Sequence, residues 1–143
     1  MKNKALLFAS LAFAAITSLS SCSKDENLSP TMKSAELSSD NKTIVVTFSE
    51  AVYSKADNTG ALDANSLTVT APDAIDFTYT VTHTAGSTTA TINLVITSII
   101  QGTEKFTIKP ASATSVYDNE GAAMNAAELI ESNAATKDLG IIG

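Results

Sequence analysis

From Met32 onward, apolar and polar residues alternate in short runs. Thr43 to Phe48, TIVVTF, places Ile44, Val46 and Phe48 on one face and Thr43 and Thr47 on the other. Ile75 to His83, IDFTYTVTH, is the cleanest run: Ile75, Phe77, Tyr79 and Val81 alternate with Asp76, Thr78, Thr80 and Thr82. Thr89 to Ile96 groups Ala90, Ile92, Leu94 and Ile96. Leu67 and Val69 in SLTVT, and Phe106 and Ile108 in KFTIK, predict shorter strands. Met32 to Leu37 is a weaker first strand, and Thr114 to Tyr117 a short late one. A period of two marks strands with one buried face. Threonine suits the other face, because its branched Cβ fits a pleat and its hydroxyl fits water.

The interruptions agree with the runs. Asp40-Asn41, Asp57-Asn58-Thr59-Gly60, Ala85-Gly86-Ser87 and Gln101-Gly102 are turn sequences between apolar stretches. Short antiparallel strands, each with one apolar face, bury those faces by stacking two sheets. The expectation is an all-β sandwich of about seven antiparallel strands. Ala122 to Glu131, AAMNAAELIE, holds good helix formers with Met124, Ala127 and Ile130 at helical spacing. That leaves open a short helical turn near the C-terminus.

The first 29 residues follow another pattern. Lys2 and Lys4 precede an apolar run, Ala5 to Ile16, and small residues then lead to Cys22. This order reads as a secretory signal peptide. The run is shorter than the roughly 20 apolar residues that span a bilayer. Leu19-Ser20-Ser21-Cys22 resembles the bacterial lipobox, in which the cysteine is lipidated and the leader removed before it. Acyl chains add about 0.8 kcal/mol of membrane affinity per buried methylene, so two or three anchor a protein firmly. Lys24, Asp25 and Glu26 resemble the surface-export signal of Bacteroidota lipoproteins; a short charged run is also what a solvated tether looks like. The expected organisation is a cleaved leader over 1–21, a lipidated tether over 22–29 and a sandwich domain over 30–143. The expected location is the outer membrane, lipid-anchored, with the domain facing the cell exterior or, alternatively, the periplasm.

Charge narrows the partners. The chain has nine lysines, no arginine and fifteen acids, a net charge of −6. Removing the leader takes two lysines and leaves −8. Nucleic acid is a poor fit, because binding there rests on neutralising phosphates. Cys22 is the only cysteine, so no intrachain disulfide can form and the core alone must hold the fold.

Four segments resemble the bacterial Ig-like domains of the Big_5, SbsA Ig-like type. They are IVVTFSEAVYS (44–54), TGALDANSLTV (59–69), GTEKFTIKPAS (102–112) and VYDNEGAAM (116–124). Ala51 stands where that family commonly has proline, and Ala122 where asparagine usually follows the glycine. The resemblance implies an Ig-like sandwich used as a spacer, adhesion or binding module. It implies no catalytic residues.

Candidate chemistry is sparse. His83 is the only histidine, in phase with Tyr79 and Val81, and lacks the partners of a triad or zinc site. Glu50, Asp57, Asp63, Asp118 and Glu120 fall in predicted loops. Asp57, Asn58, Asp118, Asn119 and Glu120 could converge on a structural calcium ion. Their spacing is not that of an EF-hand loop, and such residues before glycine are turn formers first. Tyr53 and Tyr117 could stack on a glycan, although a loop tyrosine more often covers the end of a core. Tryptophan, the usual sugar platform, is absent. The expectation is a non-enzymatic interaction module with an unidentified protein partner, or alternatively a glycan- or calcium-binding accessory lipoprotein.

Overall fold

The computed structural model describes residues 28–138. Cys22 and the Lys24-Asp25-Glu26 run lie outside the described residues. The described chain forms seven strands: β1 (Met32–Leu37), β2 (Thr43–Phe48), β3 (Leu67–Thr70), β4 (Phe77–His83), β5 (Thr89–Ile96), β6 (Thr107–Pro110) and β7 (Ile130–Glu131). One sheet has the order β1-β2-β5-β4 and the other β3-β6-β7. Every neighbouring pair is antiparallel. Lettered A to G along the chain, the sheets read A-B-E-D and C-F-G, the strand order of a constant-type immunoglobulin sandwich.

The alternation does what it predicts. Ile44, Val46 and Phe48 of β2 and Ala90, Ile92 and Leu94 of β5 are buried, and they meet Leu67, Val69 and Ile108 from the other sheet in one core. Register keeps the faces together, with Ile44 opposite Ile92 and Val46 opposite Ala90. A slip of one residue would turn each set toward water. Each fully buried aliphatic or phenyl side chain contributes about 1.5–3 kcal/mol. Loop residues close the core: Val52, Leu62, Phe106, Val116 and Met124 are also buried. The Phe77 ring meets Phe106 edge-on, with centroids 5.2 Å apart.

Two late segments differ from the sequence pattern. Thr114–Tyr117 forms no strand. Ser112 and Ser115 turn the chain there, with Ser115 Oγ donating to the Ser112 carbonyl and accepting from the Ser112 N–H. Side chains that bond nearby backbone compete with a ladder in this way. Only Tyr117 pairs, through single bridges to Tyr53 and Ala123.

The open helical turn over Ala122–Glu131 does not form either. The Met124 N–H donates to the Val116 carbonyl, so this stretch returns as the second arm of a tight hairpin. Asn125 then makes a turn of its own, accepting the Ala127 N–H on Oδ1 and the Glu128 N–H on its carbonyl. Ile130 and Glu131 pair with β6. Helix propensity in so short a segment is weaker than burial of Met124, which is 2% exposed.

Candidate functional site

Three connections gather at one end of the sandwich: the β2–β3 loop, the β4–β5 turn and the β6–β7 segment. The bonds between them fix this. Tyr53 and Tyr117 exchange N–H···O=C bonds of 2.8 Å, tying the first loop to the last. The Gly86 N–H donates to the Val52 carbonyl, and the Val52 N–H to the Ser87 carbonyl, which adds the middle turn. Tyr53, Asp57, Asn58, Tyr117, Asp118 and Glu120, far apart in sequence, therefore share one end.

Asp118 organises the last connection. Its side chain is fully buried. Oδ1 accepts the N–H groups of Glu120 at 2.7 Å and Ala122 at 2.8 Å. Oδ2 is buried with no hydrogen-bond partner. Gly121 completes the turn at φ +85, and a Cβ on it would stand 2.9 Å from the Ala56 carbonyl oxygen. Only glycine lets this hairpin press so closely on the β2–β3 loop.

Carboxyl groups dominate the electrostatics. Half-buried Glu50 titrates above its ordinary value, first because burial disfavours its charge and then because Asp118 and Glu120 repel it. Asp57 is exposed and held below its ordinary value, mainly by the Thr59 hydroxyl. Asn58 sits at φ 63, shaping the Asp57–Gly60 turn. Asp63 is likewise lowered, first by the Asn65 N–H. Asp57, Asn58 and Asp63 thus act locally as turn formers. Among the described residues, no three His, Cys, Asp or Glu side chains gather as a metal-binding group.

The two tyrosines differ from an open sugar platform. A Cβ on Gly86 would lie 3.0 Å from the Tyr53 hydroxyl oxygen, so the β4–β5 turn rests against that ring. Tyr117 is half-buried beside it in the paired segment. His83, at the end of β4, is also engaged. Its Nδ1 accepts the Leu62 N–H at 3.0 Å, which leaves the proton on Nε2 to donate to the Ser87 carbonyl at 3.1 Å. Burial lowers its pKa, partly offset by the Ser87 bond.

The opposite end holds a groove of about 380 Å³ that sequence reading does not reveal. Leu94, Ile96 and Ile100 line it, with Asp40, Lys42 and Asp138 around them. At its edge Asn41 grips the C-terminal segment, donating to the Thr136 carbonyl and accepting the Thr136 N–H. Only Asn41's turn chemistry is visible in the sequence; its partner lies 95 positions away.

Compared with known proteins, the chain matches no family model, no curated protein and no solved structure.

Proposed function

We propose that this chain is an outer-membrane lipoprotein whose Ig-like sandwich serves, without catalysis, as a structural, adhesive or protein-interaction module at the cell surface. The Leu19-Ser20-Ser21-Cys22 motif at the end of an apolar leader carries the attachment. The first strand starts at Met32, which leaves a short polar tether after Cys22. The constant-type strand order agrees with the resemblance of IVVTFSEAVYS and VYDNEGAAM to bacterial Ig-like domains. The non-catalytic reading rests on His83. Both nitrogens of the neutral ring are already engaged by backbone groups, and no second histidine stands in the sequence to pair with it, which supports that reading.

Labelling cells with a radioactive fatty acid tests the anchor. The full chain should incorporate label and Cys22→Ala should not; equal labelling of both would overturn it. Protease treatment of intact cells tests the surface address. Digestion of the domain is expected, and full protection would count against the export reading of Lys24, Asp25 and Glu26.

A second reading, calcium binding by the loop end, is favoured by one observation. Asp118 Oδ2 is buried without a partner, and the charges of Asp118 and Glu120 both act on Glu50. Calcium bound only by the folded state would raise the melting temperature. A rise that Asp118→Asn abolishes supports this reading, and an unchanged melting temperature removes it.

A further inference from the structure

We propose that β4 is a pairing edge for a second copy of this chain, joined antiparallel, β4 to β4, about a two-fold axis at Thr80. This deepens the interaction-module reading by naming a partner, and membrane attachment does not enter it. The argument begins with how the sheet edges are closed. Unpaired edges are templates for other strands, and proteins protect them with bulges, charges, short strands or covering groups.

The other edges are protected. β1 has a register break between Met32 and Ser34 and carries Lys33 and Glu36. Its outward groups are also engaged at both ends of the strand. The Met32 N–H donates to Glu128 Oε1, while Asn133 accepts the Leu37 N–H at 2.7 Å and donates to the Leu37 carbonyl at 3.1 Å. β3 has four residues, and the Tyr79 hydroxyl donates to its Leu67 carbonyl. β7 has two residues and ends in Glu131.

Among the described residues, β4 has none of these devices. It runs seven residues, FTYTVTH, with no proline, acid or lysine, and pairs with β5 in unbroken register. The Leu94 N–H donates to the Lys42 carbonyl, so Leu94 faces β2. The backbones of Asn93 and Val95 must then face β4, opposite Thr80 and Thr78. Phe77, Tyr79, Val81 and His83 consequently point their N–H and C=O groups out of the sheet. No hydrogen bond to these groups is found among the described residues.

That row is complementary to itself. A two-fold at Thr80 sets Phe77 opposite His83 and Tyr79 opposite Val81, all with outward-pointing backbone. Each such pair exchanges two backbone hydrogen bonds. Thr78 then meets Thr82, and Thr80 meets its own copy, so exposed hydroxyls lie against hydroxyls. Aromatic–β-branched and threonine pairs are favourable across strands. The chain's excess acids do not oppose it, because the nearest, Asp76, falls opposite Thr84. The product is one continuous sheet built from two four-stranded sheets.

Register makes the idea testable. Thr80 and its copy form a non-hydrogen-bonded pair, with Cα atoms about 4.5 Å apart, within the roughly 4.4–6.8 Å that a disulfide spans. Two copies of Thr78 would stand about 14 Å apart along the strands. The full chain carrying Cys22→Ser leaves the introduced thiol as the only one. In it, Thr80→Cys should oxidise to a reducible dimer, and Thr78→Cys should do so at least about tenfold less. Without added thiols, Thr80→Lys and Thr80→Glu should each weaken self-association in sedimentation by at least about tenfold, and mixing them should restore it. Thr80 is exposed, so unchanged circular dichroism and melting are expected to certify the variants as folded. A Cys22→Ser parent that stays monomeric up to its solubility limit overturns the proposal, as do equal disulfide yields from Thr78→Cys and Thr80→Cys. A strand from another protein occupying this edge would leave Thr80→Cys unpaired with itself, which also overturns self-pairing. None of these failures touches lipid labelling at Cys22, so the anchoring reading stands or falls separately.

Discussion

The Leu62 N–H donates to Nδ1 of His83 across 3.0 Å, joining the long β2–β3 loop to the end of β4. The bond requires the neutral ring, because an imidazolium has a proton on both nitrogens and cannot accept. Burial holds the His83 pKa below its ordinary value. The unfolded chain therefore takes up the proton at higher pH than the folded one. The stability contributed by the neutral ring is complete above the unfolded value, about 6.5, and is lost as pH falls from there through the lower folded value. Melting temperature should decline between about pH 7 and pH 5. His83→Ala should flatten that part of the profile and, by stranding the Leu62 N–H, cost about 1–3 kcal/mol at neutral pH. An unchanged slope would show that another group controls it.

Gly121→Ala should destabilise the domain by about 1–3 kcal/mol. The new methyl meets the Ala56 carbonyl oxygen, and φ +85 disfavours any side chain. The urea midpoint should fall without a change in slope. A midpoint equal to the parent's would mean that the β6–β7 hairpin stands away from the β2–β3 loop.

Asn133 replaces a missing strand partner on the outside of β1, since its amide bonds both the N–H and the C=O of Leu37. Asn133→Ala should cost about 0.5–1.5 kcal/mol. It should also speed hydrogen exchange at Leu37 more than at Ile44 on the paired side. Uniform acceleration across both strands would argue for a global effect instead.

Glu120→Gln should lower the titration midpoint of Glu50, because it removes one of the two neighbouring charges that raise it. Carbon-detected NMR on the Glu50 carboxyl measures this directly. A midpoint that stays in place would separate the two groups. Asp118→Ala should act differently: it strands the N–H groups of Glu120 and Ala122 and should lower stability by about 1–3 kcal/mol.

The strands were legible because burial writes a period of two into the sequence. Met32–Leu37, Thr43–Phe48 and Thr89–Ile96 have the ends that the alternation suggests. In the run from Ile75 the strand starts at Phe77, because the Ile75 N–H is held in a turn by the Pro72 carbonyl. The loop candidates were legible one at a time. Asp57, Asn58 and Gly121 announce turns through their own chemistry. Nothing local could place Tyr53 opposite Tyr117, or put Ala56 within reach of Gly121, because those meetings depend on how two loops cross the end of the sandwich. The Ala122–Glu131 stretch stayed open in the sequence for the same reason. Its composition favours helix, but its backbone donors are taken by Val116 and Asn125.

The sequence by itself determines the alternating faces, the turn positions, the acidic balance and the leader-like pattern before Cys22. Each is a property of neighbouring residues. The tertiary structure alone decides that Asn133 and Glu128 seal one outer edge while β4 keeps a row of outward-facing backbone groups. Alternation says which side chains turn inward, but not which strand lies last in its sheet. That place is set by which partners the whole chain brings alongside, and among the described residues β5 is the one strand paired with β4.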